Sequence, residues 1–332
     1  MSKAADATPR RIPSGLPKSA ALVGFMRRNT IIVLILLLVV FVMGIELARP
    51  GTVTPTWLSN TVLFAAPLGV LAAGQTLVLL TGGIDLSVAS VATGAAYLLT
   101  TNVASMGSTT ALVLALGFGV VVGLLNGVGV AVLRVQPLVM TLGSGLMVGG
   151  IMIVYSQQML ASQPQVPDFI QALGSGKLRG VIPIDLFPWL VLAAAMIFGL
   201  RGTGFGRLLY AVGDNREACH LAGIRVWRVI LLDYVLCSFL AAVAGLILVG
   251  STKAADLGLA EVYLLPSIAA VIIGGTSIFG GRGGYAGSIV GALMLTVLTS
   301  LLTLLDVSEP IKQILYGAII LVLAAVYARL SD

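Results

Sequence analysis

The side chains of this sequence that could perform chemistry are few, and they do not form a catalytic set. An ATP-binding loop needs G-x-x-x-x-G-K-[ST], but the nearest string, GSGKL at 174–178, has Gln171 at the first glycine position and Leu178 at the hydroxyl position. The single histidine, His220, leaves no H-E-x-x-H zinc motif and no convincing Ser-His pair. We expect no catalytic residues and no metal or cofactor site, and any ATP hydrolysis must belong to another chain.

Charge concentrates instead in the stretch AVGDNREACHLAGIRVWR at 211–228. Asp214 or Asn215 can cap a short helix there, and Gly223 can end it in the left-handed conformation. Three residues would then share one face of about two turns: Ala218, Leu221 and Ala222. Because so short a helix is marginal in water, it is either docked in a groove of another protein or part of a solvated loop.

The composition indicates an integral membrane protein. The sequence is 58% hydrophobic and 10% charged, whereas soluble domains carry roughly 25% charged residues. Apolar runs of about 20 residues, enough to cross the hydrocarbon core, recur along the chain. They predict an all-α fold with about ten transmembrane helices, near 30–48, 57–80, 86–104, 110–132, 138–158, 187–200, 229–249, 262–279, 284–305 and 311–328.

The basic residues predict the orientation of these spans. Most of the 19 Lys and Arg residues would lie on the side that holds the N-terminus, and the positive-inside rule makes that side cytoplasmic. Both termini are therefore expected in the cytoplasm, and the net charge of +6 is not taken to indicate nucleic acid. The predicted segments are a tail at 1–29, a transmembrane region at 30–328 with a cytoplasmic loop at 201–228, and a C-terminus at 329–332.

Two predicted spans contain helix-breaking residues. The span 57–80 includes Pro67, and the span 262–279 includes Pro266 followed by a glycine pair. Breaks at membrane depth are tolerated where freed backbone groups face protein or a water-filled path. Either span could be broken and line a conduit, or could be an ordinary kinked helix.

Ionisable residues at membrane depth are candidates for function, and only Asp85 and Asp233 qualify. Asp85, in TGGIDLS, is expected mainly to be satisfied by Ser87 and nearby amides, and Asp233 to pair with a cytoplasmic group such as Arg225 or Arg228. So few interior charges favour an uncharged, hydroxylated substrate. Together with Asp85, the polar side chains predicted to line its path are Gln75, Asn126, Thr141, Thr276 and Ser277; each could equally form helix-to-helix hydrogen bonds.

Four stretches, in order, resemble the membrane permeases of ribose-type bacterial sugar importers of the ATP-binding-cassette (ABC) class. They are LTGGIDLSVAS at 80–90, GLLNGVGVAVLRVQPLVMTLG at 123–143, GTGFGRLLYAVGDNREACHLAGIRVWRV at 202–229 and AAVIIGGTSIFGGRGGYAGSIVGAL at 269–293. The resemblance covers nearly everything after about residue 30. It implies a multi-pass protein of the bacterial inner membrane.

The resemblance also implies partners. These are a second permease, identical or different, a cytoplasmic ABC ATPase that binds ATP and Mg²⁺ and docks on a coupling helix, and an extracytoplasmic protein that delivers a sugar or polyol. The docking residues it implies are Gly213, Asn215, Glu217, Ala218, Ala222, Gly223 and Ile224. The alternative functions are a secondary transporter or channel driven by an ion gradient, and a membrane scaffold or receptor.

Overall fold

The structure, a computed structural model, describes residues 30–159 and 164–331. The predicted tail at 1–29 and the last residue, 332, lie outside the described residues. Helices dominate, and the two short strands form one antiparallel pair. In chain order the elements are α1 (Thr30–Ala48), α2 (Pro55–Leu80), α3 (Val88–Met106), α4 (Ser108–Ala131), α5 (Pro137–Gln158), α6 (Asp168–Ser175), β1 (Lys177–Leu178), β2 (Ile182–Pro183), α7 (Leu186–Gly202), α8 (Gly204–Asp214), α9 (Arg216–Leu221), α10 (Val226–Thr252), α11 (Leu264–Ile273), α12 (Tyr285–Leu304) and α13 (Glu309–Ser331).

Ten of these helices coincide with the ten predicted spans, but not all of them are long and apolar enough to cross a membrane alone. Within the described residues six helices meet that requirement, namely α1, α2, α4, α5, α10 and α12. A seventh span exists if α7 and α8, which meet at 68°, are counted as one. The described helices thus support six or seven spans, and the count of about ten is not confirmed.

The predicted span at 262–279 is the clearest departure. Its helix, α11, has 10 residues and a length of about 15 Å, half the hydrocarbon thickness. From Gly274 to Gly284 the chain turns irregularly, with positive φ at Gly275, Gly280 and Gly281. This span is broken, because its glycines adopt backbone conformations that end the helix.

The other span with helix-breaking residues, α2, is continuous. Its 26 residues run through Pro67 without interruption. Thr54 caps its start by accepting a hydrogen bond from the Trp57 N–H at 3.1 Å, and most of its residues are buried. Of the two candidate breaks, only the one after α11 occurs.

The core is organised around α10, which packs extensively on α4, α2 and α3. Three glycines of α4 at four-residue intervals allow its backbone to approach α10. A Cβ atom added at Gly119, Gly123 or Gly127 would lie within 3.0 Å of α10 backbone atoms. Small residues at such spacing permit close helix packing in a membrane, where hydrophobicity alone does not drive helices together.

The bundle has two distinguishable ends. At one, which we call the loop end, the start of α1 (Ile31) and Tyr210 of α8 line the same small cavity. At the other, the cavity end, Arg49 after α1, Trp57 near the start of α2 and Glu309 at the start of α13 line a larger cavity. Helix α2, about 39 Å long by its 26 residues, connects the two ends.

Candidate functional site

The charged stretch forms a short helix at the loop end, as its sequence predicts. In α9, the Asn215 side-chain Oδ1 accepts a hydrogen bond from the Ala218 N–H at 2.9 Å. The helix has 6 residues, and Gly223 follows it with φ of +78°. The Gly223 N–H donates to the His220 carbonyl at 3.0 Å. The capping residue is therefore Asn215, and the left-handed residue that ends the turn is Gly223.

One face of α9 is free of contacts that would bury it. Glu217, Ala218, Leu221 and Ala222 are exposed, and Leu221 is 83% exposed. On the opposite side Cys219 is buried and Ile224, beyond the helix, is half-buried. Leu221 shares the face with the two alanines, yet it is absent from the docking residues that the family resemblance implies.

Gly213 plays a different part from the other predicted docking residues, because it packs into the bundle. A Cβ atom added there would overlap the Leu80 carbonyl oxygen and press on the Gly281 amide. The Gly281 N–H itself donates to the Leu80 carbonyl at 2.9 Å, and a Cβ atom added at Gly280 would lie 2.8 Å from the Gly213 carbonyl oxygen. We call this contact of residues 80–83, 213–216 and 279–282 the glycine junction.

The glycine junction joins two motifs that are far apart in the sequence. TGGIDLS at 81–87 follows the end of α2, and IFGGRGG at 278–284 belongs to the broken segment after α11. The end of α8, at Gly213 and Asp214, packs on both motifs, and the first residue of α9, Arg216, contacts Thr81. A movement of the α8–α9 connection therefore acts on the end of α2 and on the segment that precedes α12.

Arg216, the first residue of α9, also contacts α2. Its Nη2 donates to the Thr81 carbonyl at 2.6 Å, at the end of α2, where the helix dipole favours a cation. The Thr81 hydroxyl in turn donates to Asp233 Oδ2 on α10 at 2.8 Å. The arginine that reaches Asp233 is thus Arg216, acting through Thr81, and not Arg225 or Arg228 as expected.

Four of the predicted path residues form one buried hydrogen-bond network. Gln75 Nε2 donates to the Asp85 carbonyl at 2.6 Å. Ser87 donates to Asp85 Oδ1 from its backbone N–H at 2.8 Å and its hydroxyl at 2.6 Å. Asn126 Nδ2 donates to the Ser87 hydroxyl at 2.9 Å, and Thr141 accepts from the Leu86 N–H at 3.0 Å. Asp85 is held by Ser87, as its sequence context indicates.

The other two predicted path residues stabilise the broken segment after α11. The Thr276 hydroxyl accepts from the Gly284 N–H at 3.3 Å, and the Ser277 hydroxyl accepts from the Phe279 N–H at 3.2 Å. All six predicted path residues therefore satisfy internal polar groups, and none of them lines either of the two cavities described for this structure.

The cavity end offers a more open space, of about 650 Å³, within the range of small-molecule sites. Its walls come from α2, the region before α11, α12 and α13. The hydroxyl and amide side chains on them are Thr52, Asn60, Thr61, Thr296, Thr299, Ser300 and Thr303, and the aromatic ones are Trp57, Phe64, Tyr263 and Tyr316. The sequence signal for this site is a threonine and serine repeat along α12, at 296, 299, 300 and 303.

A titratable group with a displaced pKa lies between the short strands and α7. Asp185 has no exposed surface, and its burial raises the pKa of the carboxyl to about 7. The Leu186 amide offsets this rise only in part. Asp185 lies outside α9, the glycine junction and the cavity.

The apolar helices, the broken segment after α11 and the helical loop exposed at one end are those of a multi-pass membrane protein. The sequence profile of a family described as the permease component of a branched-chain amino acid transport system matches residues 57–324.

Curated relatives cover most of this chain. The ribose import permease protein of Escherichia coli strain K12 is 33% identical over 300 residues, which are 89% of this chain and 92% of the relative. The galactofuranose transporter permease protein of the same strain is 36% identical over 273 residues, 80% of this chain and 77% of the relative. The fructose import permease protein of Rhizobium meliloti is 32% identical over 270 residues, 79% and 74% respectively. No solved structure matches.

The chain therefore belongs to this family of transport permeases. It is a permease subunit of an ABC importer, a multi-pass protein of the bacterial inner membrane.

Proposed function

We propose that this chain forms, with a second permease, the path of a neutral sugar or polyol, and that a separate ATPase drives transport by docking on α9. The observation that carries the proposal is the combination of an exposed Ala218, Leu221 and Ala222 face with a glycine junction on the opposite side of the same loop. An amphipathic helix can place such an apolar face in a groove of a partner protein. The junction links the loop on which that partner would dock to the end of α2.

In this mechanism ATP and Mg²⁺ bind to the partner ATPase and not to this chain. Closure of two ATPase domains displaces α9, and the glycine junction carries the displacement into α2 and α12. Reversing a conformational equilibrium from about 1:99 to 99:1 requires roughly 5.5 kcal/mol of differential binding. A rigid, close-packed junction is suited to transmit a load of that size.

The arrangement of the two bundle ends supports a cytoplasmic position for the loop and both termini. The loop at 201–228 contains Arg201, Arg207, Arg216, Arg225 and Arg228, as the positive-inside rule requires. The start of α1 lies at this same end. Helix α13 begins at the opposite end, and its 23 residues are enough to return to the loop end.

The cavity lining supports a hydroxylated substrate, and Arg49, Asp306 and Glu309 also contribute to it. Hydroxyl and amide side chains can exchange hydrogen bonds with a sugar, and an aromatic ring such as Trp57 can cover its apolar face. The relatives named for ribose, fructose and galactofuranose import make a sugar the leading candidate. An extracytoplasmic binding protein would deliver it to the cavity end.

Docking is tested by two variants of the coupling helix. Glu217→Lys reverses an exposed charge, and Gly223→Pro cannot adopt φ of +78° or donate the Gly223 N–H bond. We expect both proteins to insert in the membrane but to lose transport-coupled ATP hydrolysis by the co-purified complex. Coupling equal to that of the unmodified protein in either variant would contradict the assigned contact.

The cavity is tested separately. Thr296→Val removes a hydroxyl from its wall, and Thr100→Val is the matched control, because both hydroxyls bond the carbonyl four residues earlier in their helices. Loss of one hydrogen bond to substrate should lower sugar uptake by about 3- to 10-fold, measured with D-ribose and D-fructose in reconstituted vesicles. Equal uptake by the two variants would argue against the cavity.

A further inference from the structure

Arg216 is placed at the boundary between the exposed helix and the bundle interior. It opens α9, but its guanidinium extends to the end of α2 and donates to the Thr81 carbonyl at 2.6 Å. The last carbonyls of a helix lack partners within the helix. Arg216 therefore occupies a position that the fold leaves open for a cation.

The Thr81 hydroxyl continues this contact into the core. It lies 2.8 Å from Asp233 Oδ2 and 3.0 Å from the Val78 carbonyl. Thr81 is 2% exposed and Asp233 is fully buried. Among the described residues, the second oxygen of Asp233, Oδ1, has no hydrogen-bond partner.

A buried carboxylate is stable only with compensation from hydrogen bonds or an opposite charge. Asp233 receives one such hydrogen bond, from Thr81, and the positive charge of Arg216 favours its charged form against the burial that disfavours it. Removing Arg216 would leave the carboxylate with a single hydrogen bond. Asp233 belongs to α10, the helix around which the bundle is packed.

We propose that Arg216, Thr81 and Asp233 form a latch that couples the position of α9 to the central helix α10. When the ATPase draws α9 away from the bundle, Arg216 leaves the end of α2 and Asp233 loses its compensating charge. The buried carboxylate then favours the rearrangement of α2 and α10 that restores a partner or admits water. Arg216 is a positioning residue in this scheme, and the latch rests on the proposed docking of the ATPase at α9.

The test is a double-mutant cycle in the complete transporter. Arg216→Gln should lower sugar-stimulated ATP hydrolysis by roughly tenfold, a typical effect for residues coupled through a shared contact. Asp233→Asn removes the buried charge on which the latch acts, so it should impair coupling by itself, and the double variant should be no worse than either single variant. Arg207→Gln, an exposed arginine of the same loop, is the control for loss of one positive charge.

The assay uses the complex co-purified from membranes and reconstituted with Mg-ATP and D-ribose, at a temperature where each variant is folded. Thr81→Val and Thr81→Ser provide a second route if Arg216→Gln does not fold. The valine variant should lose coupling because it breaks the link to Asp233, and the serine variant should retain it.

The outcomes separate the latch from the docking proposal. Impaired coupling in both single variants, with no additional loss in the double variant, supports the latch. Losses that add in the double variant, or normal coupling in Asp233→Asn, would overturn the latch while leaving docking intact. Coupling in Arg216→Gln equal to that in Arg207→Gln would overturn the latch as well. Failure of the docking proposal would appear differently, as an ATPase that does not co-purify with the unmodified chain.

Discussion

Gly213→Ala is the substitution whose effect the geometry defines most closely. The added Cβ would overlap the Leu80 carbonyl oxygen, a backbone atom that cannot rotate away as a side chain can. Overpacking of this kind costs about 1–3 kcal/mol. Opening the junction would also break the Gly281 to Leu80 hydrogen bond, worth about 0.5–1.5 kcal/mol. We expect a loss of roughly 2–4 kcal/mol.

The assay is thermal unfolding of the detergent-purified chain with a thiol-reactive fluorophore. Cys219 and Cys237 are both buried and free, so labelling reports loss of structure. Gly204→Ala is the control, because the nearest atom to its added Cβ is the end of the Arg207 side chain at 3.9 Å. We expect a clearly lower unfolding temperature and weaker coupled ATP hydrolysis only for Gly213→Ala. Identical behaviour of the two variants would refute the close-packed junction.

Three further predictions concern packing, capping and pH. Gly123→Ala places a methyl group within 2.7 Å of α10 backbone atoms and should lower the free energy of unfolding by about 1–3 kcal/mol. Gly117→Ala, with open space around it, should leave it unchanged. Equal unfolding temperatures of the two variants would count against the close packing of α4 on α10. Asn215→Ala should destabilise α9 by about 0.5–2 kcal/mol, and Asn215→Asp should preserve it. The measurement is amide hydrogen exchange of residues 216–221, and unchanged exchange in the alanine variant would disprove the cap. Burial raises the pKa of Asp185 to about 7, from about 3.9 in the unfolded chain. Between these two pH values the folded state binds more protons than the unfolded state, so the free energy of unfolding should fall as pH rises from about 4 to about 7. Asp185→Asn should remove that slope, and an unchanged slope would assign it to another group.

Much of the fold follows from the sequence because hydrophobic length is a strong local signal. Nine of the predicted spans correspond to helices of at least 17 residues, within a few residues at each end. The exception, 262–279, fails because its helix ends at Ile273, before Gly274 and Gly275, and the chain beyond them turns to contact the end of α2 through Gly281. Pro67 and Pro266 both lie inside helices, so the presence of a proline does not show which helix is continuous and which is broken.

Only part of the candidate site could be predicted from the sequence. Capping by Asn215 and the left-handed Gly223 are local properties and could be read from residue type. The contact of Gly213 with Leu80 and that of Arg216 with Thr81 join segments about 130 residues apart in the chain. A single sequence does not show which distant segments contact each other in the fold. The cavity was missed because its hydroxyl side chains recur along α12 at a spacing that also satisfies helix carbonyls.

The central claim is that α9 is a cytoplasmic docking helix, and Leu221→Cys tests it most directly. Position 221 is 83% exposed, so a membrane-impermeant maleimide should label this variant in inverted membrane vesicles but not in intact cells, after subtraction of the unmodified chain. Bound ATPase should protect it, and a short bifunctional thiol and amine reagent should join the two proteins. Labelling from outside intact cells, or full labelling with the ATPase bound and no crosslink, would contradict the account.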